Sequence, residues 1–89
     1  MLVNYARAIR VVRAVSGLDQ ATLASRVPCT GSYLSLLERG KRSPSDATVA
    51  AICQAAACPR EVFDLLAGRP FVEDAELLAF WRYMTRTAH

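Results

Sequence analysis

Residues 20–42, QATLASRVPCTGSYLSLLERGKR, decide how the chain is read. Ala21, Leu23, Ala24 and Val27 form one apolar pattern, which breaks at Pro28. The proline ring cannot continue a helix, and it biases Val27 away from helical dihedrals. A second pattern opens after Thr30, with Leu34 and Leu37 three apart on one helical face. The Thr30 hydroxyl can accept a hydrogen bond from the free amides of this new helix, and Gly40 tolerates the left-handed conformation in which helices commonly stop. The stretch therefore predicts two short helices, a tight turn between them, and the basic loop Gly40-Lys41-Arg42-Ser43-Pro44 behind the second.

Two helices so joined form a helix-turn-helix, a unit whose second helix commonly lies in the major groove of DNA. That helix, expected over residues 31–39, must divide its faces. Leu34 and Leu37 point inward, which leaves Gly31, Ser32, Ser35, Leu36 and Arg39 for the outside. The serine hydroxyls can bond base edges or phosphates, Leu36 can touch a thymine methyl, and Arg39 alone can read guanine through a bidentate contact. Direct readout on this set is thin, so discrimination leans on backbone contacts and on deformability of the site. Lys41 and Arg42 are the strongest phosphate contacts, because no acidic residue follows them before Asp46. Asp19 caps the first helix of the pair, and Gln20 falls in its first turn, where its amide can meet a phosphate oxygen or add a second capping contact. Thr30, beside the start of the second helix, joins the candidate contacts. Tyr33 suits either a phosphate contact through its hydroxyl or packing beneath the turn.

From Ile9 to about Leu66 the chain resembles the Cro/C1 and Xre family of helix-turn-helix domains. The matching pieces, in order, are Gly17-Leu18-Asp19-Gln20, Leu23-Ala24, Ser32-Tyr33-Leu34-Ser35, Leu37-Glu38-Arg39-Gly40-Lys41-Arg42 and Pro44-Ser45, with Thr48 and Ile52 in the helix that follows. The resemblance implies an all-α, five-helix lambda-repressor-like bundle that binds double-stranded DNA as a homodimer, usually as a repressor. It also implies that Gln20 contacts phosphate and that Arg13 turns inward to pair with Glu38 at the end of the third helix, although both charges can equally lie in solvent. The chain departs from the family at Pro28, where a turn glycine is usual. Gly31 and Leu36 also stand where long polar base-reading side chains are common.

The distribution of charge fits this layout better than its total. Up to Pro44, Arg7, Arg10, Arg13, Arg26, Arg39, Lys41 and Arg42 face only Asp19 and Glu38, a net of +5. From Ser45 onward, Arg60, Arg69, Arg82 and Arg86 face Asp46, Glu61, Asp64, Glu73, Asp74 and Glu76, a net of −2. A basic half carrying the helix pair and an acidic half behind it is the electrostatic footprint of a domain that meets phosphate on one side. The hydrophobic share of 53 % argues against disorder. No apolar run spans a bilayer and no signal-peptide pattern opens the chain, so a cytoplasmic protein without a membrane partner is expected. Cys29, Cys53, Cys58 and the terminal His89 have the spacing of neither a zinc site nor a disulfide framework, and no cofactor is expected. The three thiols read most simply as small, fairly buried side chains, and if any is reactive it is Cys29, beside a helix start whose dipole favours a thiolate.

Around the helix pair, Asn4 and Gly17 bracket a first helix with Tyr5, Ile9, Val12 and Val15 on one face and Arg7 and Arg10 on another. Ala24 lets the paired helices cross closely. Val49, Ile52, Cys53 and Ala56 mark a fourth helix, and Val62, Phe63 and Leu66 mark a fifth that ends at Gly68. Residues 1–68 thus make up the DNA-binding domain. Residues 69–89 add a sixth helix with Leu77, Leu78, Trp81 and Met84 on a wide apolar face that Phe80 broadens. This helix either folds back wholly within the monomer or caps the core and builds a dimer interface from Phe63, Leu66, Leu77, Trp81 and Met84.

The leading functional expectation is a sequence-specific, homodimeric transcriptional regulator on a near-palindromic operator. Its competitors are an antitoxin whose tail binds a toxin, a controller protein of a restriction-modification or phage circuit, and an interaction adaptor that never touches DNA. Catalysis is the weakest reading, since scattered carboxylates and no glycine-rich phosphate loop assemble no catalytic set.

Overall fold

Asn4 accepts the Arg7 amide at 2.9 Å and starts helix α1 (Tyr5–Ser16). At its far end Gly17 adopts φ 70°, and the amides of Gly17 and Leu18 close the last turn on the carbonyls of Ala14 and Arg13. The computed structural model describes residues 3–70 and 73–85; Arg86 and His89 lie outside them. Asp19 accepts the Thr22 amide at 2.7 Å and opens α2 (Gln20–Arg26), which stops at Val27 ahead of Pro28. Thr30 accepts the Tyr33 amide at 3.0 Å and opens α3 (Gly31–Glu38). Arg39 terminates α3, and Gly40 at φ 72° lets the Lys41 amide reach the Leu36 carbonyl at 2.9 Å. Ser45 caps α4 (Asp46–Ala55) through the Thr48 amide, and α5 (Arg60–Leu66) follows Pro59 without a side-chain cap. The last described helix is α6 (Asp74–Thr85), making six helices and no strand among the described residues.

The helices share one core. Ile9 and Val12 of α1, Leu23 of α2, Leu34 and Leu37 of α3, Val49 and Ile52 of α4, and Val62 and Phe63 of α5 are all buried. Burying a side chain of this kind contributes about 1.5–3 kcal/mol each, so the core is the main favourable term. Ala24 is buried on α2, which packs against both α3 and α4. Tyr5 stacks on Phe63 at 6.2 Å between ring centroids, and the Asn4 amide donates to the Ala67 carbonyl at 2.7 Å, so the start of α1 is fastened to the end of α5.

Two features differ from the expectation. Phe63 is fully buried in the chain's own core and offers nothing to a second chain, so it leaves the dimer-interface set. On α6 the inward side is Ala79, Phe80, Tyr83 and Met84, while Leu77, Leu78 and Trp81 face solvent. The apolar residues of α6 wrap most of its circumference, so periodicity alone could not choose the buried stripe. Tyr83 chooses it. Its ring fills the core and its hydroxyl donates to the Val12 carbonyl at 3.3 Å, which gives the buried phenol a polar partner. Leu66 and Met84 are partly buried against the same core.

The chain leaves α4 through an unexpected residue. Ala57 has φ 51°, and the Cys58 amide bonds the Cys53 carbonyl at 2.8 Å around it. A left-handed alanine carries a steric cost of roughly 1 kcal/mol that glycine escapes.

Candidate nucleic-acid interface

Glu38, the last residue of α3, is 4 % exposed and held at both ends by α1. Arg13 Nε donates to Oε2 at 2.8 Å and Nη2 to Oε1 at 3.0 Å, a bidentate pair, while Nη1 reaches the Leu18 carbonyl at 3.2 Å. Arg10, one turn earlier, donates through Nη1 to the Glu38 main-chain carbonyl. The inward Arg13–Glu38 pair is present as the resemblance implied. Arg10 is an addition that sequence reading missed. Its i,i+3 spacing from Arg13 was the available signal, since residues so spaced lie on one helix face.

With its C-terminus clamped, α3 turns Leu34 and Leu37 inward and presents the remainder. Gly31, Ser32 and Arg39 are exposed, and Ser35 and Leu36 are half-buried at the edges of that face. Arg39 folds its Nε toward the Ser35 carbonyl at 3.4 Å, so its guanidinium rests along the helix end. The Thr30 hydroxyl is engaged as the α3 cap. Tyr33 takes the packing role of the two weighed for it. It packs against the core, and the Arg42 guanidinium lies over its ring at 5.9 Å from the centroid. A cation held on a ring face is pre-placed at little further entropic cost. Lys41 is exposed beside it.

The basic half of the chain therefore splits in two. Arg7 donates to the Leu66 carbonyl at 3.0 Å, and Arg10 and Arg13 serve Glu38, so the arginines of α1 are structural. Arg26, Arg39, Lys41 and Arg42 are exposed and form no ion pair among the described residues. Three of the four follow one another at the end of α3. In the acidic half, Arg60 joins Asp46 at 2.9 Å to Asp64 at 3.1 Å, tying α4 to α5, and Arg69 meets Glu76 of α6 at 2.9 Å. Each of these two guanidinium pKa values is raised, first by the hydrogen bond to the carboxylate partner.

At the other end of the unit Gln20 is the first residue of α2 and is partly buried. Asp19 takes the cap, and the Thr22 amide it accepts holds its carboxyl below the usual carboxylate value. Cys29 fits the buried reading rather than the reactive one. It is half-buried against the core in the turn, and desolvation pushes its thiol up, which outweighs any pull from the neighbouring helix start. No helix among the described residues is long and apolar enough to cross a membrane.

Residues 4–66, most of the chain, match the family model of the helix-turn-helix domain, and the chain belongs to that family. The match is consistent with the Cro/C1-type likeness carried by the residues around α2 and α3. No curated protein matches the chain at a significant level.

Proposed function

We propose that the protein is a sequence-specific DNA-binding transcriptional regulator that acts in the cytoplasm as a homodimer. Residues 1–68 carry the DNA-binding domain, and residues 69–89 supply the pairing element. The observation that supports this reading best is the division of the arginines. Those behind α3 are spent on holding Glu38, whereas Arg39, Lys41 and Arg42 stand unpaired at the rim of its outward face. α3 enters the major groove with Ser32, Ser35, Leu36 and Arg39 toward the base edges and Gly31 allowing close approach. Lys41, Arg42 and Gln20 take phosphates on either side and fix the register. Repression follows from occupancy alone, since a bound dimer occludes a promoter without further chemistry.

Selection of bound fragments from random duplex DNA tests this. The expected result is a near-palindromic site with half-sites about one helical turn, roughly 34 Å, apart. Absence of retardation of any duplex at low salt rejects DNA binding and returns the chain to the adaptor reading.

A further inference from the structure

Leu77, Leu78 and Trp81 are 54 %, 48 % and 64 % exposed on the outer side of α6, while the other side of the same helix is committed to the core. The charges flanking this patch are ordered along the helix. Asp74 lies one turn before Leu78 and Arg82 one turn after it, both exposed and neither in an ion pair among the described residues. Acid at one end, apolar residues in the middle and base at the other make a stripe that complements its own reverse. A two-fold axis requires that property of any surface that pairs with itself.

We propose that the outer stripe of α6 pairs antiparallel with α6 of a second copy of this chain, in the register that sets Leu78 against its own counterpart. This rests on the dimeric reading above and replaces its broader interface with a defined one. At about 1.5 Å rise per residue, Asp74 and Arg82 sit about 6 Å to either side of Leu78, so each faces the other across the axis. The same register sets the large Trp81 over the small exposed Ala75, and large against small is how facing helices interdigitate. A shift that sets Leu77 opposite Trp81 brings Asp74 against Met84 and Leu78 against Phe80 and leaves Arg82 facing Glu76, a half-buried carboxylate that Arg69 already holds at 2.9 Å, so both Asp74–Arg82 pairs are lost. Trp81 is the aromatic anchor, and its exposure when unpaired is the cost that pairing removes.

The test uses the full chain. Trp81 is its only tryptophan, so emission reports the contact directly. Sedimentation should show a concentration-dependent dimer, with the emission moving to shorter wavelength as the dimer forms. Asp74→Arg and Arg82→Asp each set like charges together and should raise the dimer dissociation constant by about tenfold, and the combined reversal should restore it. Both positions are exposed, so folding is not at stake, and helicity by circular dichroism verifies it. A monomeric mass at all concentrations overturns the proposal, as does a double reversal no better than its singles. The parent reading is judged separately by retardation of duplex DNA at low salt. Binding by a monomeric wild type sinks the α6 pairing and the dimeric part of that reading but leaves DNA binding standing, whereas a dimer that retards no DNA sinks only the regulator.

Discussion

Arg13 and Glu38 meet fork to carboxylate across 25 residues of sequence, with the glutamate almost fully withdrawn from water. The pair joins the middle of α1 to the last residue of α3, so the angle of the exposed helix is set by the scaffold behind it. Arg13→Ala leaves a buried carboxylate with only its main chain held by Arg10. Urea unfolding should show a loss on the order of 3 kcal/mol. Replacing both partners by methionine should recover much of that loss, because two apolar side chains leave no uncompensated charge. A single-variant loss below about 1 kcal/mol would mean that water reaches Glu38.

Lys41 and Arg42 follow the end of α3 and form no ion pair among the described residues. Alanine at either position should weaken binding to every duplex alike and lower the salt slope by about one. Arg42 lies on the Tyr33 ring, so Tyr33→Leu should also weaken binding while leaving the slope unchanged. Titrations at several salt concentrations distinguish these outcomes. A full slope in Lys41→Ala removes that residue from the phosphate contacts.

Arg39 is the one long cation on the reading face, and its guanidinium leans back along α3 in the unbound chain. On the proposed reading it extends to a guanine on DNA. Arg39→Ala should therefore relax discrimination at one base position, by about 1–3 kcal/mol, and leave the other positions alone. Repeating the fragment selection with the variant reads this out. A uniform fall in affinity reassigns Arg39 to the backbone.

The helix-turn-helix was legible because its punctuation is local. Pro28, Thr30 and Gly40 act through their own dihedrals and hydroxyls, and each sits at the boundary it predicted. The outward set on α3 was legible too, since Leu34 and Leu37 settle which face is buried. What failed depended on tertiary choice. α6 carries apolar residues nearly all round, and the buried Tyr83 that orients it does so through the Val12 carbonyl, a group without a sequence signature. Phe63 read as a surface anchor because aromatic residues serve interfaces and cores alike. The thiolate-favouring pull of the helix start at Cys29 is outweighed by desolvation, which depends on what packs over the turn.

Ala57 supplies a separate stability test. It is exposed and holds φ 51°, a left-handed conformation that glycine adopts without strain. Ala57→Gly should raise stability by about 0.5–1 kcal/mol, or roughly 4–8 °C per kcal/mol in Tm for a domain of this size. Part of the gain is offset by the greater freedom of glycine in the unfolded chain. An unchanged or lower Tm would show that this offset wins.

Asp19 links the α2 cap to pH. The Thr22 amide stabilises the carboxylate, so the folded-state pKa lies below the ordinary 3.8. A lowered folded pKa contributes stability that is present above the unfolded value and lost as pH falls through the folded one. Asp19→Asn keeps an oxygen acceptor for the same amide and cannot be protonated in that range. Near neutral pH the two proteins should therefore have similar stability. Below about pH 4 the wild type should lose stability faster, and denaturant midpoints measured between pH 3 and 7 follow the divergence. Parallel curves down to pH 3 would mean that the cap is equally strong with its carboxyl protonated, and that Thr22 is held by the helix rather than by charge.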